Sequence, residues 1–170
     1  MMSGDIFQHR FLEILWSPWR MSYISTVDKI IECIFCKALE EPERYHVITV
    51  TEHSILMLNA YPYNTAHVMI APKRHVPDLI LLEDREILDM FSLMKKTIQA
   101  IRKEYNPQGF NIGVNIGRVA GAGVESHVHI HIVPRWSGDT NFLPIISATK
   151  TIPEDLETTR KRIKRSLESL

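Results

Sequence analysis

The feature that most constrains the fold is the segment at residues 127–133, HVHIHIV, in which histidine alternates with a branched apolar residue. A period of two is typical of a β-strand, because successive side chains point to opposite faces of the sheet. The apolar residues are therefore expected to enter a core, while the other face carries a row of His127, His129 and His131. Neighbours in that row would lie roughly 6.5–7 Å apart, which suits the oxygens and bridging atoms of a phosphate chain.

Three imidazoles in one row are difficult to explain as ordinary core residues, because each buried ring would need its own hydrogen-bond partner. Two functional interpretations remain. Imidazole is partly unprotonated at neutral pH and can attack phosphorus, which makes the middle residue, His129, the best candidate nucleophile. The alternative is a three-histidine metal site with an open position. Glycines upstream of the row favour phosphate, since they let backbone N–H groups approach an anion closely: Gly117, Gly121 and Gly123.

The rest of the pattern predicts an α+β fold, built on an antiparallel sheet of about five strands. Strands are expected at residues 46–51, 54–59, 67–71, 110–116 and 127–133. Between residues 82 and 105, apolar side chains recur at three- and four-residue spacing, which predicts one long helix. Its buried stripe would consist of Ile87, Met90, Phe91, Met94, Ile98 and Ile101.

A C-terminal helix is predicted from about Pro153, because acidic residues there give way to basic ones, as the helix dipole prefers. The segment before residue 31 is rich in aromatic residues but has no periodicity. The expected organisation is an N-terminal arm packed on the core at residues 1–30, a central domain at 31–150 and the C-terminal helix at 151–170.

Charge and hydropathy limit the partners of the chain. It has 20 basic and 20 acidic residues and an isoelectric point near 7.1, so no global field would attract nucleic acid or anionic lipid. No apolar run approaches the roughly 20 residues of a membrane span, and the N-terminus lacks the features of a secretory signal. We therefore expect a cytoplasmic protein that binds neither nucleic acid nor membrane.

The histidine row, followed by Pro134 and Arg135, resembles the signature of the histidine-triad (HIT) family of nucleotide hydrolases and transferases. Residues 59–72, NAYPYNTAHVMIAP, look like the upstream strand-loop-strand of that family. Residues 16–24 and 135–144 look like the branch that includes bacterial diadenosine tetraphosphate phosphorylases. The resemblance implies a HIT-like fold, a homodimer and a covalent nucleotidyl-histidine intermediate that water or phosphate resolves.

The resemblance also implies roles for individual residues. His129 would attack the α-phosphorus and His131 would hold the α-phosphate oxygens, while His127 would lie near the leaving group. Residues expected to bind the nucleotide are Asn59 at the ribose and, around the phosphates, His67, Asn115, Gly123 and His131. Ser126 would lie beside His127 near the leaving group, where it is a possible proton donor.

The same resemblance implies a reaction class. Because histidine rather than glutamine stands third in the triad, hydrolysis or phosphorolysis is favoured over a dedicated transferase reaction. The expected substrate is a nucleoside 5′-phosphoanhydride, such as a dinucleoside polyphosphate, or a phosphoramidate. A nucleotide-binding or sensing module without turnover and a three-histidine metalloenzyme remain as alternatives.

Cys33 and Cys36 form a CxxC pair. Thiolates at this spacing suit one tetrahedral zinc ion with two further ligands, and the alternatives are a redox pair or two small buried residues. Zinc-bearing HIT proteins look similar, which implies a structural zinc ion held by Cys33, Cys36, His75 and His127. His127 therefore has two candidate roles, and the sequence leaves open whether it binds zinc or serves the leaving group.

Overall fold

The computed structural model describes residues 32–141, 143 and 150–170. Five strands form one antiparallel sheet, in the chain order β1 Val47–Val50, β2 Ser54–Leu58, β3 Val68–Pro72, β4 Gly109–Val114 and β5 Ile130–Arg135. Their order across the sheet is β1-β2-β3-β5-β4. The predicted α+β class and the five-stranded sheet are confirmed. The arm expected at residues 1–30 lies outside the described residues.

In the described part of the chain, three α-helices accompany the sheet, namely α1 Ile34–Glu40, α2 Asp84–Tyr105 and α3 Leu156–Glu168. The predicted long helix is α2, which begins with a capping box between Glu83 and Glu86. The predicted C-terminal helix is α3, and the carboxylate of Asp155 accepts a hydrogen bond from the Thr158 N–H at its start. The short helix α1, which contains Cys36, was not predicted. Within the described residues, no helix is long and apolar enough to cross a membrane.

Two apolar clusters lie on opposite faces of the sheet. The larger one joins β3 and β5 to α2 and α3, and its members include the residues that alternate with the histidines, Val128, Ile130 and Ile132. The smaller one covers the other face and contains Phe35, Ala38, Val47, Ile55, Met57, Met69 and Ala71. The prediction that the branched residues of the triad enter the core is therefore confirmed, and the histidines lie on the side of the smaller cluster.

The predicted start of the histidine strand is wrong by three residues. Pairing between β3 and β5 ends at Ile70 and Ile130, and Pro72 has no N–H group with which to extend it. Beyond that point the Val128 N–H donates to the carbonyl of Val76 at 2.7 Å. His127 and His129 therefore lie on an extended segment just before β5, and this segment keeps the alternation of faces.

The predicted buried stripe of α2 is also partly wrong. Ile87 and Phe91 are 37% and 51% exposed, whereas Leu93 and Thr97 are buried. The helix packs through a narrower face that includes Met90, and the Thr97 hydroxyl donates to the Leu93 carbonyl at 2.8 Å. The three- and four-residue spacing did not distinguish this buried face from a second apolar face of the helix, which is exposed.

Candidate active site and adjoining cysteine-histidine cluster

The three histidines of the row lie side by side, His127 and His129 on the extended segment before β5 and His131 in the strand itself. His127 and His129 are 0% and 3% exposed, and His131 is half-buried. The rings of His129 and His131 meet edge to face, with their centroids 4.8 Å apart. The structure therefore brings these two predicted site residues into direct contact.

The proton of His129 is located by its backbone partner. Nδ1 of His129 lies 2.9 Å from the carbonyl oxygen of His127, and a carbonyl can only accept, so Nδ1 carries the hydrogen. Burial lowers the pKa of His129, which keeps the ring neutral at physiological pH. The remaining nitrogen, Nε2, consequently holds an unprotonated lone pair.

His67 sets the proton of His131 in the opposite way. The Tyr63 N–H donates to His67 Nδ1 at 3.1 Å, so the hydrogen of a neutral His67 lies on Nε2. That Nε2 donates to His131 Nδ1 at 3.0 Å, which leaves the hydrogen of a neutral His131 on its own Nε2. Burial, together with the neighbouring His131 and His129, lowers the pKa of His67 to about 3 and holds it in this neutral form. The row therefore presents a lone pair on His129 next to a donor on His131.

The other predicted nucleotide-binding residues lie at the ends of the strands. Asn59 follows β2, and its N–H donates to the carbonyl of His67 at 3.0 Å, while its side-chain oxygen accepts from the Tyr61 N–H at 2.9 Å. Asn115 follows β4, and its side-chain nitrogen donates to the Gly121 carbonyl at 3.2 Å. It thereby braces the glycine-rich loop, where a 3₁₀ turn at Arg118–Ala120 ends at Gly121 with φ 88°. Gly123 is half-buried and Ser126 exposed on the last part of this loop.

The predicted metal ligands converge in space. One ligand atom from each of Cys33, Cys36, His75 and His127 lies within 4.8 Å of the others. In a tetrahedral zinc site, Zn–S bonds of about 2.3 Å and Zn–N bonds of about 2.0–2.1 Å separate a sulfur from a nitrogen by about 3.6 Å. The sulfur-to-Nδ1 distances here are 3.2 Å for Cys33–His127, 3.3 Å for Cys36–His75 and 3.8 Å for Cys36–His127. The arrangement therefore fits a zinc-sized ion.

The tautomer of His127 also fits a metal ligand. Its Nε2 lies 2.8 Å from the carbonyl oxygen of Pro72 and must carry the hydrogen, so the lone pair on Nδ1 points at the two sulfurs. Burial and the neighbouring Cys33 raise the pKa of the Cys36 thiol to about 11, so a bound cation is needed to ionise it at neutral pH. Both ring nitrogens of His127 are engaged within the fold.

Two aromatic residues at the site were not predicted. The Phe35 ring centroid lies 4.8 Å from that of His129 and 5.1 Å from that of His127, and the Tyr63 ring centroid lies 4.6 Å from that of His67. Their positions in the chain could have indicated that they lie near the site, since Phe35 stands between the two cysteines and Tyr63 four residues before His67. Lys150 was missed as well, and it donates to the Tyr63 carbonyl.

The model of the HIT domain family matches residues 40–138, which is more than half of the chain and includes the whole histidine row. The chain belongs to the HIT family. A relative from Mycobacterium tuberculosis named AP-4-A phosphorylase is 35% identical over 159 residues, which cover 88% of this chain and 82% of the relative.

Solved structures of other HIT proteins share the fold. A hypothetical histidine triad nucleotide-binding protein from Sulfolobus tokodaii is 27% identical, has a TM-score of 0.68, and aligns over 81% of this chain and 93% of its own. A zinc-bound histidine triad family protein from Mycobacterium smegmatis is 24% identical, has a TM-score of 0.67, and aligns over 82% of this chain and 95% of its own. At this level of identity the second likeness concerns the fold alone.

Proposed function

We propose that this HIT protein cleaves a dinucleoside polyphosphate, or a related nucleoside 5′-phosphoanhydride or phosphoramidate, through a covalent nucleotidyl group on His129. The observation that carries the proposal is the neutral His129 ring, whose unprotonated Nε2 lies beside the donor of His131. The 35% identity to a protein named AP-4-A phosphorylase supports diadenosine tetraphosphate as the substrate class.

The reaction proceeds in two displacements. His129 Nε2 attacks the α-phosphorus, a P–N bond forms, and the bond from phosphorus to the bridging oxygen breaks, so the leaving nucleotide takes the electron pair. His131 Nε2–H donates to a non-bridging α-phosphate oxygen, where negative charge develops. Water or phosphate then attacks the same phosphorus, and the electron pair of the broken P–N bond returns to Nε2. Two inversions give overall retention of configuration.

The remaining residues bind and orient the nucleotide. Asn59 binds the ribose, and Asn115 and Gly123 support the phosphates from the glycine-rich loop. His67 holds the proton of His131 on the nitrogen that faces substrate, through the Nε2 to Nδ1 contact of 3.0 Å. Ser126, rather than His127, serves the leaving group in this scheme, because both nitrogens of His127 are already engaged.

Incubation with diadenosine tetraphosphate, with and without inorganic phosphate, tests the proposal. ADP and ATP are the expected products of phosphorolysis, and AMP and ATP those of hydrolysis. A quenched reaction should contain protein that is heavier by one adenylyl group attached to His129. Near-normal turnover by His129→Asn on every nucleotide tried would exclude the mechanism. Tight binding without adduct or product would support the sensing module instead.

The three-histidine metalloenzyme is the weaker alternative. Nδ1 of His129 donates to a carbonyl and Nδ1 of His131 accepts from His67, so these rings are committed to different hydrogen bonds. Among the described residues, the group suited to a metal ion takes only His127 from the row. Loss of turnover on chelation, with metal bound at all three histidines, would favour the metalloenzyme over the covalent mechanism.

We infer a structural zinc ion at Cys33, Cys36, His75 and His127, supported by their mutual distances and by the second hydrogen bond of His127 to Pro72. When bound, the ion would ionise the thiols and join α1 to the segment before β5. Elemental analysis of protein purified without chelator should give about one equivalent. A value near zero after growth in zinc-supplemented medium would contradict the inference.

We also infer a homodimer. The sheet ends at β4, whose outer edge is unpaired within the described chain, and Ile112 on it is 45% exposed. The apolar face of α2 formed by Ile87, Leu88 and Phe91 is exposed as well. Light scattering coupled to size-exclusion chromatography should report twice the chain mass of 19.7 kDa. A monomer at micromolar concentration would contradict the inference.

A further inference from the structure

Phe35 links the cysteine pair to the histidine row. It lies between Cys33 and Cys36 on the first turn of α1 and is 0% exposed. Its ring contacts His127, with centroids 5.1 Å apart, and His129, with centroids 4.8 Å apart and planes inclined by 38°. One side chain therefore touches both a proposed metal ligand and the proposed nucleophile.

The His129 imidazole needs more than its hydrogen bond to be oriented. The Nδ1–H bond to the His127 carbonyl fixes one point of the ring, but the ring can still tilt about that contact. The edge-to-face contact with His131 and the tilted contact with the Phe35 ring, each with centroids 4.8 Å apart, restrain this tilt. Attack in line on phosphorus requires the lone pair to keep its direction, and a misplacement of about 1 Å can lower a rate by about a hundredfold.

We propose that Phe35 is a positioning residue for the transfer, which holds the plane of the His129 imidazole so that Nε2 points at the α-phosphorus. The inference rests on the proposed function and goes further, because α1 would then orient the His129 imidazole as well as contribute to the zinc site. The two thiols that flank Phe35 belong to the cysteine-histidine cluster, so the contacts that fix them also fix the ring.

The test compares Phe35→Leu with a matched control, Val47→Ala. Leucine keeps the apolar bulk but lacks the flat ring. Val47 belongs to the same apolar cluster as Phe35 and is 5% exposed, but β2 and β3 separate its strand from β5. For Phe35→Leu we expect kcat and the rapid-quench rate of adduct formation to fall at least about tenfold, with KM within about twofold of wild type. Val47→Ala should change each quantity by less than about twofold.

Thermal unfolding and zinc content of each variant accompany the kinetics. Phe35→Leu with full zinc, a melting temperature close to that of the control, and a selective loss of kcat supports the inference. An unchanged rate of adduct formation overturns it. A rise in KM at constant kcat also overturns it, because the ring would then serve nucleotide binding. Loss of zinc together with activity overturns it too, since Phe35 would then act only by building α1.

Failure of the proposed function gives a different result. Wild-type protein that turns over substrate without an adduct on His129 would exclude the covalent mechanism itself. A wild-type adduct together with an unimpaired Phe35→Leu variant would exclude only the positioning role.

Discussion

Two substitutions of His67 separate its two hydrogen bonds. In His67→Gln the side-chain amide nitrogen can replace Nε2 and donate to His131, but the Tyr63 N–H loses its acceptor. In His67→Asn the side-chain oxygen can replace Nδ1 and accept from Tyr63, but His131 loses its donor. Both variants remove a titrating group. We therefore expect both variants to show the same change in the pH dependence of the free energy of unfolding, but to differ in turnover rate.

The magnitude follows from the pKa of His67, which burial lowers from 6.5 to about 3. At pH values between these two pKa values, His67 is protonated in the unfolded chain but neutral in the folded protein. The free energy of unfolding therefore falls as the pH is lowered from about 7 towards 3. For an unfolded pKa of 6.5, this one group should remove about 1 kcal/mol between pH 7 and pH 5.5. Loss of one buried hydrogen bond should lower the stability of each variant at pH 7.5 by about 1–3 kcal/mol.

Urea denaturation at several pH values, in buffer with constant zinc, measures both effects. Each variant should lose about 1 kcal/mol less than wild type between pH 7 and pH 5.5, so the curves converge in acid. At pH 7.5, His67→Gln should keep more turnover than His67→Asn, because only glutamine preserves the donor to His131. If the free energy of unfolding of each variant varied with pH as steeply as that of wild type, the assignment of a neutral, buried His67 would be refuted. Equal turnover by His67→Gln and His67→Asn would refute the effect of His67 on His131.

Three further predictions concern separate parts of the molecule. Cys36→Ser should lower bound zinc to well below one equivalent and lower the melting temperature. Wild-type protein should show the same fall in melting temperature after exhaustive chelation. Glu86→Gln should lower the free energy of unfolding in urea by about 1–3 kcal/mol, because Glu86 Oε2 lies 2.6 Å from Nη2 of Arg74 and pairs with it. It should leave turnover unchanged, because the proposed mechanism does not use Glu86. Since Arg74 lowers the pKa of Glu86 to about 2, the stabilising effect of that pair should disappear in wild type as the pH falls from about 4.5 to 2. Ser126→Ala should slow cleavage of diadenosine tetraphosphate at least about tenfold but leave a substrate whose leaving group needs no proton nearly unaffected, and equal effects on both substrates would exclude this role.

The sequence predicted those parts of the fold that depend on local periodicity. Alternation at Val128, Ile130 and Ile132 correctly assigned the core face, and the spacing of apolar residues located α2. The change from acidic to basic residues after Pro153 located α3. The buried face of α2 could not be read correctly, because its two apolar faces overlap at three- and four-residue spacing. The short helix α1 has only seven residues, too few for a periodic signal, and the burial of Phe35 and Ala38 stabilises it.

The start of β5 depended on a partner that periodicity does not identify. Pairing with β3 stops before Pro72, so the strand that the pattern predicted from His127 begins at Ile130. The convergence of the cysteines and histidines was expected only from resemblance, since their ligand atoms come from segments up to 94 residues apart in the chain. The contact of Phe35 with the row depends on the same convergence.

The different roles proposed for the three histidines arise from the partner of each Nδ1 atom. In His127 this atom faces two thiols, in His129 it donates to a carbonyl, and in His131 it accepts from another histidine. The hydrogen consequently lies on Nε2, on Nδ1 and on Nε2 in turn, which suits a metal ligand, a nucleophile and a donor to phosphate. Sequence spacing cannot specify this alternation, because the partners come from different parts of the chain: α1 with the cysteine before it, the extended segment before β5, and the residue before β3. The three chemistries proposed for this row of identical side chains therefore depend on three different neighbours that the fold supplies.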